Sequence, residues 1–295
     1  MSVVTRDKVE YEPNEKRKNT SDQDTKLTMA SSNLTEQIPA NPSQENQFEI
    51  YYKQYYVDSS KNSSINFDTY LNSGLKLISL FPENANISFI KQINQKITRL
   101  PERPSHKKTL ILDMDETLIH ADVDFNFKFH DEILKFTCEE EKDEEILIPL
   151  ILRPHLFEFL NFAYEHFELV IFTASEPNYA DAILDYIEKD KKYFAKRLYR
   201  DSCLYLNPGL YIKDLKIFQN RNLKDIVIVD NSVFCFSNQL SNGILISSFF
   251  NDQNDSMLMN LVNYLSILVN AEDVREENQK YFQFQTYLEE IKKGN

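Results

Sequence analysis

An apolar run of strand-forming residues, Thr109-Leu110-Ile111-Leu112, stops on two aspartates one residue apart, Asp113 and Asp115, with Thr117 just beyond. A run with no polar alternation suits a strand covered on both faces, and such strands belong to parallel α/β sheets. In those sheets ligands sit beyond the carboxyl ends of the strands, so the chain delivers two carboxylates where chemistry takes place. One of them can act as a nucleophile and the other as a proton donor, with a divalent cation between protein and substrate. Aspartates at a strand end also serve ordinary turns by capping backbone donors, and the pair alone leaves both readings open.

Three further signals follow in order. Phe172-Thr173-Ala174-Ser175 ends a second apolar run, Tyr211-Ile212-Lys213-Asp214 follows a loop, and Val229-Asp230-Asn231-Ser232 ends a third run. Strands are expected at 109–113, 168–173, 225–230 and 243–246, with helices over 154–165, 178–189, 214–220 and 255–269. This alternation predicts an α/β fold, a doubly wound parallel sheet. The rhythm breaks once, after the first strand. Residues 124–130 alternate strictly and 133–138 and 146–152 are strand-like, which predicts a short antiparallel insertion of about three strands. The acidic run 139–145 reads as its solvated tip.

Apolar residues start late in this chain of 295 residues. Its first 50 residues are mostly Ser, Thr, Asn, Gln, Glu, Asp and Lys and cannot bury enough surface to offset chain entropy. The expected organisation is a disordered polar arm at 1–65, a partly helical linker at 66–104 punctuated by Pro101 and Pro104, a catalytic domain at 105–270, and a helical extension at 271–295 that packs back on it.

A formal net charge of -13 argues against direct nucleic-acid binding by phosphate neutralisation. No stretch has the length of a membrane span and no secretory signal pattern opens the chain, so no membrane association is expected and the protein reads as soluble and intracellular. Cys138, Cys203 and Cys235 make an odd count without metal-ligand spacing, consistent with reduced thiols.

Taken together, Asp113 to His120, Arg153 to Leu160, Phe172 to Ser175 with Tyr179, Tyr199 to Cys203, Tyr211 to Leu215 and Val229 to Ser232 resemble the haloacid dehalogenase superfamily. Within it they are most similar to the FCP/SCP-type (NLI-interacting-factor-like) protein serine phosphatases, which act on the C-terminal domain of RNA polymerase II and on other phosphoproteins. The match covers roughly residues 105 to 275. It implies a Mg²⁺-dependent serine/threonine phosphatase working through an aspartyl phosphate. Asp113 would be the nucleophile and Asp115 the acid and base. Thr173 and Lys213 would meet the phosphoryl oxygens. Asp113, the main chain at Asp115 and Asn231 would hold Mg²⁺, with Asp230 beside them positioning Lys213 or a metal-bound water.

The partner so implied is a phosphoserine or phosphothreonine protein, in the nucleus or the cytoplasm, with the resemblance favouring the nucleus. Because the bulk charge repels anions, a local positive cluster must capture the phosphate, and Lys213, a metal, Arg153 and Arg200 are the candidates. Arg200 aligns with an arginine that the family uses near the peptide, and Tyr179 with an aromatic of its proline-binding groove. Glu176 and Val123 depart from the aliphatic residue and the phenylalanine usual in that groove, which points to a phosphopeptide other than the polymerase tail. Two alternatives stay open: a small-molecule phosphatase of the same superfamily, and an inactive phosphopeptide-binding or scaffold member of the fold.

Overall fold

The computed structural model describes residues 67–80, 85–102, 107–138, 144–206 and 210–294. The expected arm at 1–65 and most of the acidic run at 139–145 lie outside the described residues.

Two helices come first, α1 (Phe67–Ser79) and α2 (Ala85–Gln95). They lead to β1 (Lys108–Leu112), β2 (Ile119–Ala121), β3 (Glu132–Cys138), β4 (Glu144–Leu152), α3 (Leu156–His166), β5 (Phe167–Phe172), α4 (Pro177–Ile187) and β6 (Phe194–Leu198). The chain continues with β7 (Leu204–Leu206), β8 (Leu210–Ile212), β9 (Ile226–Asp230), β10 (Gly243–Leu245), α5 (Met257–Val269), α6 (Val274–Tyr281) and α7 (Phe284–Gly294).

Five strands form a parallel sheet in the order β10-β9-β1-β5-β6. The expected doubly wound parallel α/β sheet is what the chain builds. Central β1 pairs with β5 on one side and β9 on the other, with Leu112 opposite both Ile171 and Val229. All five residues of β1 are buried, as are all six of β5 and all five of β9, which is why these segments read as unbroken apolar runs.

Alternate residues of each strand feed different layers. Leu110, Leu112, Leu169, Ile171, Val227 and Val229 pack with α3, α4 and α5. Ile111, Val170, Phe172, Ile226 and Ile228 pack instead with Leu75, Leu77 and Ile78 of α1, Phe89 of α2, and Phe284 and Leu288 of α7. The period of two therefore sorts the apolar side chains of one strand between two cores.

The described residues of 66–104, expected as a linker, thus contribute to the second core, and the two helices there cover a face of the sheet. Backbone bonds fasten it as well: Thr98 N–H donates to Ile217 O at 2.8 Å, and Leu100 N–H donates to Asn220 Oδ1 at 3.0 Å. The C-terminal extension also packs back, but as two helices rather than one continuous helix. They break where Gln283 takes a φ of 52°, a left-handed conformation that interrupts the helical hydrogen-bond ladder.

The antiparallel insertion is present, in the order β2-β4-β3, but its first strand is Ile119–Ala121 and not the alternating segment 124–130. Buried Asp122 explains the difference. Its carboxylate accepts from Asn126 N–H at 2.8 Å and Phe127 N–H at 2.7 Å and meets His130 Nε2 at 2.9 Å, folding 122–130 into a loop with Phe125 at a φ of 52°. Those bonds use backbone donors that a strand would need for its ladder. Likewise the helix expected at 214–220 is a single 3₁₀ turn, Leu215–Ile217, capped by the Asp214 side chain. No helix among the described residues is long and apolar enough to cross a membrane.

Leu75 tests the role of α1. Leu75→Ala is expected to cost about 2–5 kcal/mol in urea denaturation of the full chain, the usual range for truncating a fully buried leucine. An unchanged midpoint would return 66–104 to the status of a tether.

Candidate active site

Every residue that the sequence singles out for chemistry follows a strand end. Asp113 follows β1, Thr173 follows β5, Asp230 ends β9 with Asn231 next, and Lys213 follows the β7–β8 hairpin. Because β1 lies between β5 and β9, the three strand tips meet on one edge of the sheet.

The centre is a buried ion cluster. Lys213 Nζ donates to Asp113 Oδ1 at 2.5 Å and to Asp230 Oδ2 at 2.6 Å, and all three side chains are nearly inaccessible. Burial works against the lysine's charge, but the two carboxylates outweigh it and hold the ammonium well above its ordinary pKa. Burial pushes the Asp230 carboxyl up, and the neighbouring Asp113 adds to the shift. Thr117 Oγ1 donates to the second oxygen of Asp113 at 2.7 Å. Ser232 N–H donates to the second oxygen of Asp230 at 2.8 Å.

Asp115 has a different environment. Tyr179 OH donates to its Oδ1 at 2.6 Å, and Ser175 Oγ donates to its Oδ2 at 2.7 Å, with Thr173 Oγ1 at 3.5 Å. Burial and then the adjacent Glu116 push its carboxyl up to about 6, against the lowering pull of the tyrosine and serine hydroxyls. The loop carrying both aspartates is pinned from outside. Glu116 holds a φ of 55°, Glu116 N–H donates to Ile119 O at 2.8 Å, and Phe249 N–H donates to Glu116 O at 2.8 Å.

Thr173 turns its hydroxyl inward, accepting from Ser175 N–H at 3.0 Å. Asn231 donates from Nδ2 to Ser248 Oγ at 3.0 Å, which leaves its amide oxygen for another partner. Asp113, Lys213 and Asp230 are therefore joined in one hydrogen-bonded set, with Asn231 next in the chain, and Asp115 and Thr173 in a second set through Ser175. A hard cation fits this donor set. The cluster holds two buried carboxylates against one ammonium, and the oxygens of Asp113, Asp115 and Asn231 are of the kind Mg²⁺ prefers. Asp230 accepts from Lys213 on Oδ2 and from Ser232 N–H on Oδ1, and so anchors Lys213. Among the described residues no three His, Cys, Asp or Glu side chains group as a metal site, because the expected set draws on one amide and one main-chain oxygen.

The remaining candidates fall differently. Arg153 is buried, not part of a phosphate-capturing cluster. Its guanidinium bonds Asp255 through two nitrogens, at 2.9 and 2.8 Å, and donates to Thr117 O at 3.0 Å, bracing the loop behind the aspartates. Arg200 lies half-exposed beside the site, donating from Nε to Ala174 O at 2.7 Å and from a terminal nitrogen to Glu176 Oε1 at 2.7 Å. Val123 is exposed on the loop after β2.

Tyr179, expected as a groove aromatic, puts its hydroxyl on Asp115 and its ring against Phe136 of the insertion, with centroids 5.9 Å apart. Sequence reasoning assigned no task to Thr117 or Ser175. The available signal was spacing, since Thr117 lies four residues past Asp113 on the same loop and Ser175 two past Thr173.

Comparison with known proteins agrees with this geometry. The sequence profile of the NLI interacting factor-like phosphatases matches residues 108–275. CTD small phosphatase-like protein 2 of Dictyostelium discoideum is 41% identical over 194 residues, 63% of this chain and 33% of that protein. Nuclear envelope morphology protein 1 of Schizosaccharomyces pombe is 39% identical over 170 residues, 58% of this chain and 35% of that protein. CTD nuclear envelope phosphatase 1B of Danio rerio is 34% identical over 180 residues, 57% of this chain and 70% of that protein. The chain spans only about a third of the first two relatives. The profile match takes in β1 to α6 and every residue of the ion cluster, and on that ground the chain belongs to the family of NLI interacting factor-like phosphatases.

Proposed function

We propose that the protein is a Mg²⁺-dependent phosphoprotein phosphatase that transfers the phosphoryl group of a phosphoserine or phosphothreonine to Asp113 and then to water. The observation that carries the proposal is the division of labour between the two aspartates. Asp113 is held by an ammonium and a hydroxyl, whereas Asp115, two residues on, is held by neutral hydroxyls with its pKa raised to about 6.

A carboxyl with a raised pKa retains its proton closer to neutrality, as a general acid requires. An Asp113 oxygen attacks phosphorus in line, the bond from phosphorus to the serine oxygen breaks, and Asp115 gives its proton to that oxygen. Water then attacks the aspartyl phosphate while Asp115 takes a proton back, releasing inorganic phosphate and restoring both carboxyls. Thr173 and Lys213 stand beside Asp115 and Asp113 and supply a hydroxyl and a positive charge for the phosphoryl oxygens. Asp113, the Asp115 main chain and Asn231 would hold Mg²⁺, which when bound would supply positive charge between the nucleophile and the phosphate.

Two of the relatives bear phosphatase names, and the insertion described beside the site is the small stranded one, which would leave the site open to a peptide. The substrate is the polymerase tail or another phosphoprotein with a mobile phosphoserine segment. The nuclear envelope names of two relatives support a nuclear site of action. A tagged full-length chain that is excluded from the nucleus and its envelope would remove that support.

With the full-length chain and Mg²⁺, an aryl phosphate and a phosphoserine peptide should both be hydrolysed, and a chelator should stop both reactions. Asp113→Asn should lower turnover to background in a phosphate-release assay, because the attacking oxygen is lost. Activity that survives this substitution sinks the mechanism.

Asp115→Asn provides a second test. A serine alkoxide needs protonation to leave and a nitrophenolate does not, so the substitution should slow the phosphoserine peptide roughly 10²- to 10⁴-fold and cleavage of the aryl ester much less. The two substrates can be compared in single-turnover experiments that isolate the first transfer. Equal losses on both would take Asp115 out of the acid's role.

A further inference from the structure

The rim of the cleft carries a charge arrangement that the reaction does not use. Glu176 begins α4, directly after Ser175, whose hydroxyl holds Asp115. Its side chain is 61% exposed and caps no helix donor, yet its Oε1 accepts from the Arg200 guanidinium at 2.7 Å. Arg200 is held by three further contacts, two to the same loop and one to β8. Its Nε donates to Ala174 O at 2.7 Å, its main-chain N–H donates to Ser175 O at 3.1 Å, and its guanidinium lies 5.4 Å from the Tyr211 ring centroid.

An arginine held this way beside a phosphoryl site would attract anionic residues of a substrate. Glu176 occupies that guanidinium and offsets its charge, while its side chain stays largely exposed. The rim therefore presents a carboxylate to whatever flanks the phosphate, in a chain whose net charge is -13. A carboxylate can accept up to four hydrogen bonds, so Glu176 can keep Arg200 and take a second cation. An apolar flanking residue gains nothing there and strips water from the ion pair, and an acidic one meets repulsion from Glu176 with Arg200 already taken.

We propose that Glu176 is the specificity-determining residue of this cleft and selects phosphopeptides with lysine or arginine within two residues of the phosphoserine. This rests on the phosphatase reading for the position of the phosphate, and the test below separates the two.

Three fluorescent peptides carrying a phosphonate in place of the phosphate, and differing only in a flanking lysine, isoleucine or glutamate, are titrated by anisotropy into the full-length protein and its E176Q and E176L variants. Phosphonates bind without turnover, so the readout does not require catalysis. The wild type should bind the lysine peptide roughly five-fold tighter than the glutamate peptide, the scale of exposed ion pairs, and the gap should shrink at higher salt. E176Q should remove the lysine preference or turn it towards the glutamate peptide, because Arg200 then lacks its counter-charge, and E176L should in addition favour the isoleucine peptide. Equal affinities in the wild type, or a lysine preference that persists in E176Q, overturns the proposal. Separately, wild-type protein that leaves an aryl phosphate intact with Mg²⁺ overturns the phosphatase reading, whatever the affinity ratio.

Discussion

Everything at the active edge depends on one ammonium. Lys213 lies between Asp113 and Asp230, at 2.5 and 2.6 Å, in a place closed to solvent. Two carboxylates on the tips of adjacent strands would otherwise face each other without screening, and register makes them neighbours, since Leu112 pairs with Val229 just before each strand ends. Buried ion clusters are poor stabilisers, because desolvation costs about as much as attraction returns. Removing one member is worse still, since it strands the others. An arrangement that adds little to stability and tolerates little change fits a site kept for chemistry.

The ion cluster constrains the rest of the architecture. Lys213 arrives from the β7–β8 hairpin, and its main-chain N–H donates to Cys235 O at 2.7 Å, fixing the hairpin to the segment beyond β9. Asp113 is steadied from the other direction. Arg153, buried at the end of β4, donates to Thr117 O, and Thr117 donates to Asp113. The insertion is therefore a brace. Its Phe136 packs on the ring of Tyr179, whose hydroxyl holds Asp115, so one aromatic pair links the insertion to the second carboxylate.

The parts legible in the sequence were those with a single dominant cause. β1, β5 and β9 are buried on both faces, so their apolar runs announced them, and the acidic, amide and threonine residues at their ends followed. β6 passed unnoticed because it is a sheet edge, with Ala195 and Lys196 exposed and Arg197 turned to Asp181, Asp185 and Glu188. The alternation at 124–130 misled because pattern carries no information about Asp122, whose three bonds curl the segment into a loop. The packing of α1 was hidden for another reason. Its buried residues complement α7, some two hundred positions along the chain, and no local signal reports a partner that distant. Arg153 shows the same limit on a smaller scale, since charge alone suggested a phosphate contact and only the fold supplied Asp255.

Two identical side chains on one short loop come to differ only through their surroundings. Asp113 is paired with a full positive charge, the Lys213 ammonium. Asp115 receives bonds from neutral groups alone, a phenol and a serine hydroxyl, and has the Glu116 carboxylate beside it in a site that excludes most water. Neutral donors stabilise an anion less than an ammonium does, so burial and the neighbouring charge prevail and the pKa rises to about 6. The asymmetry follows from strand order. Lys213 and Asp230 reach β1 from the β9 side, and Thr173, Ser175 and Tyr179 reach it from the β5 side. With β1 between them, residues 113 and 115 contact opposite neighbours, and the proposed division into nucleophile and proton carrier rests on that asymmetry.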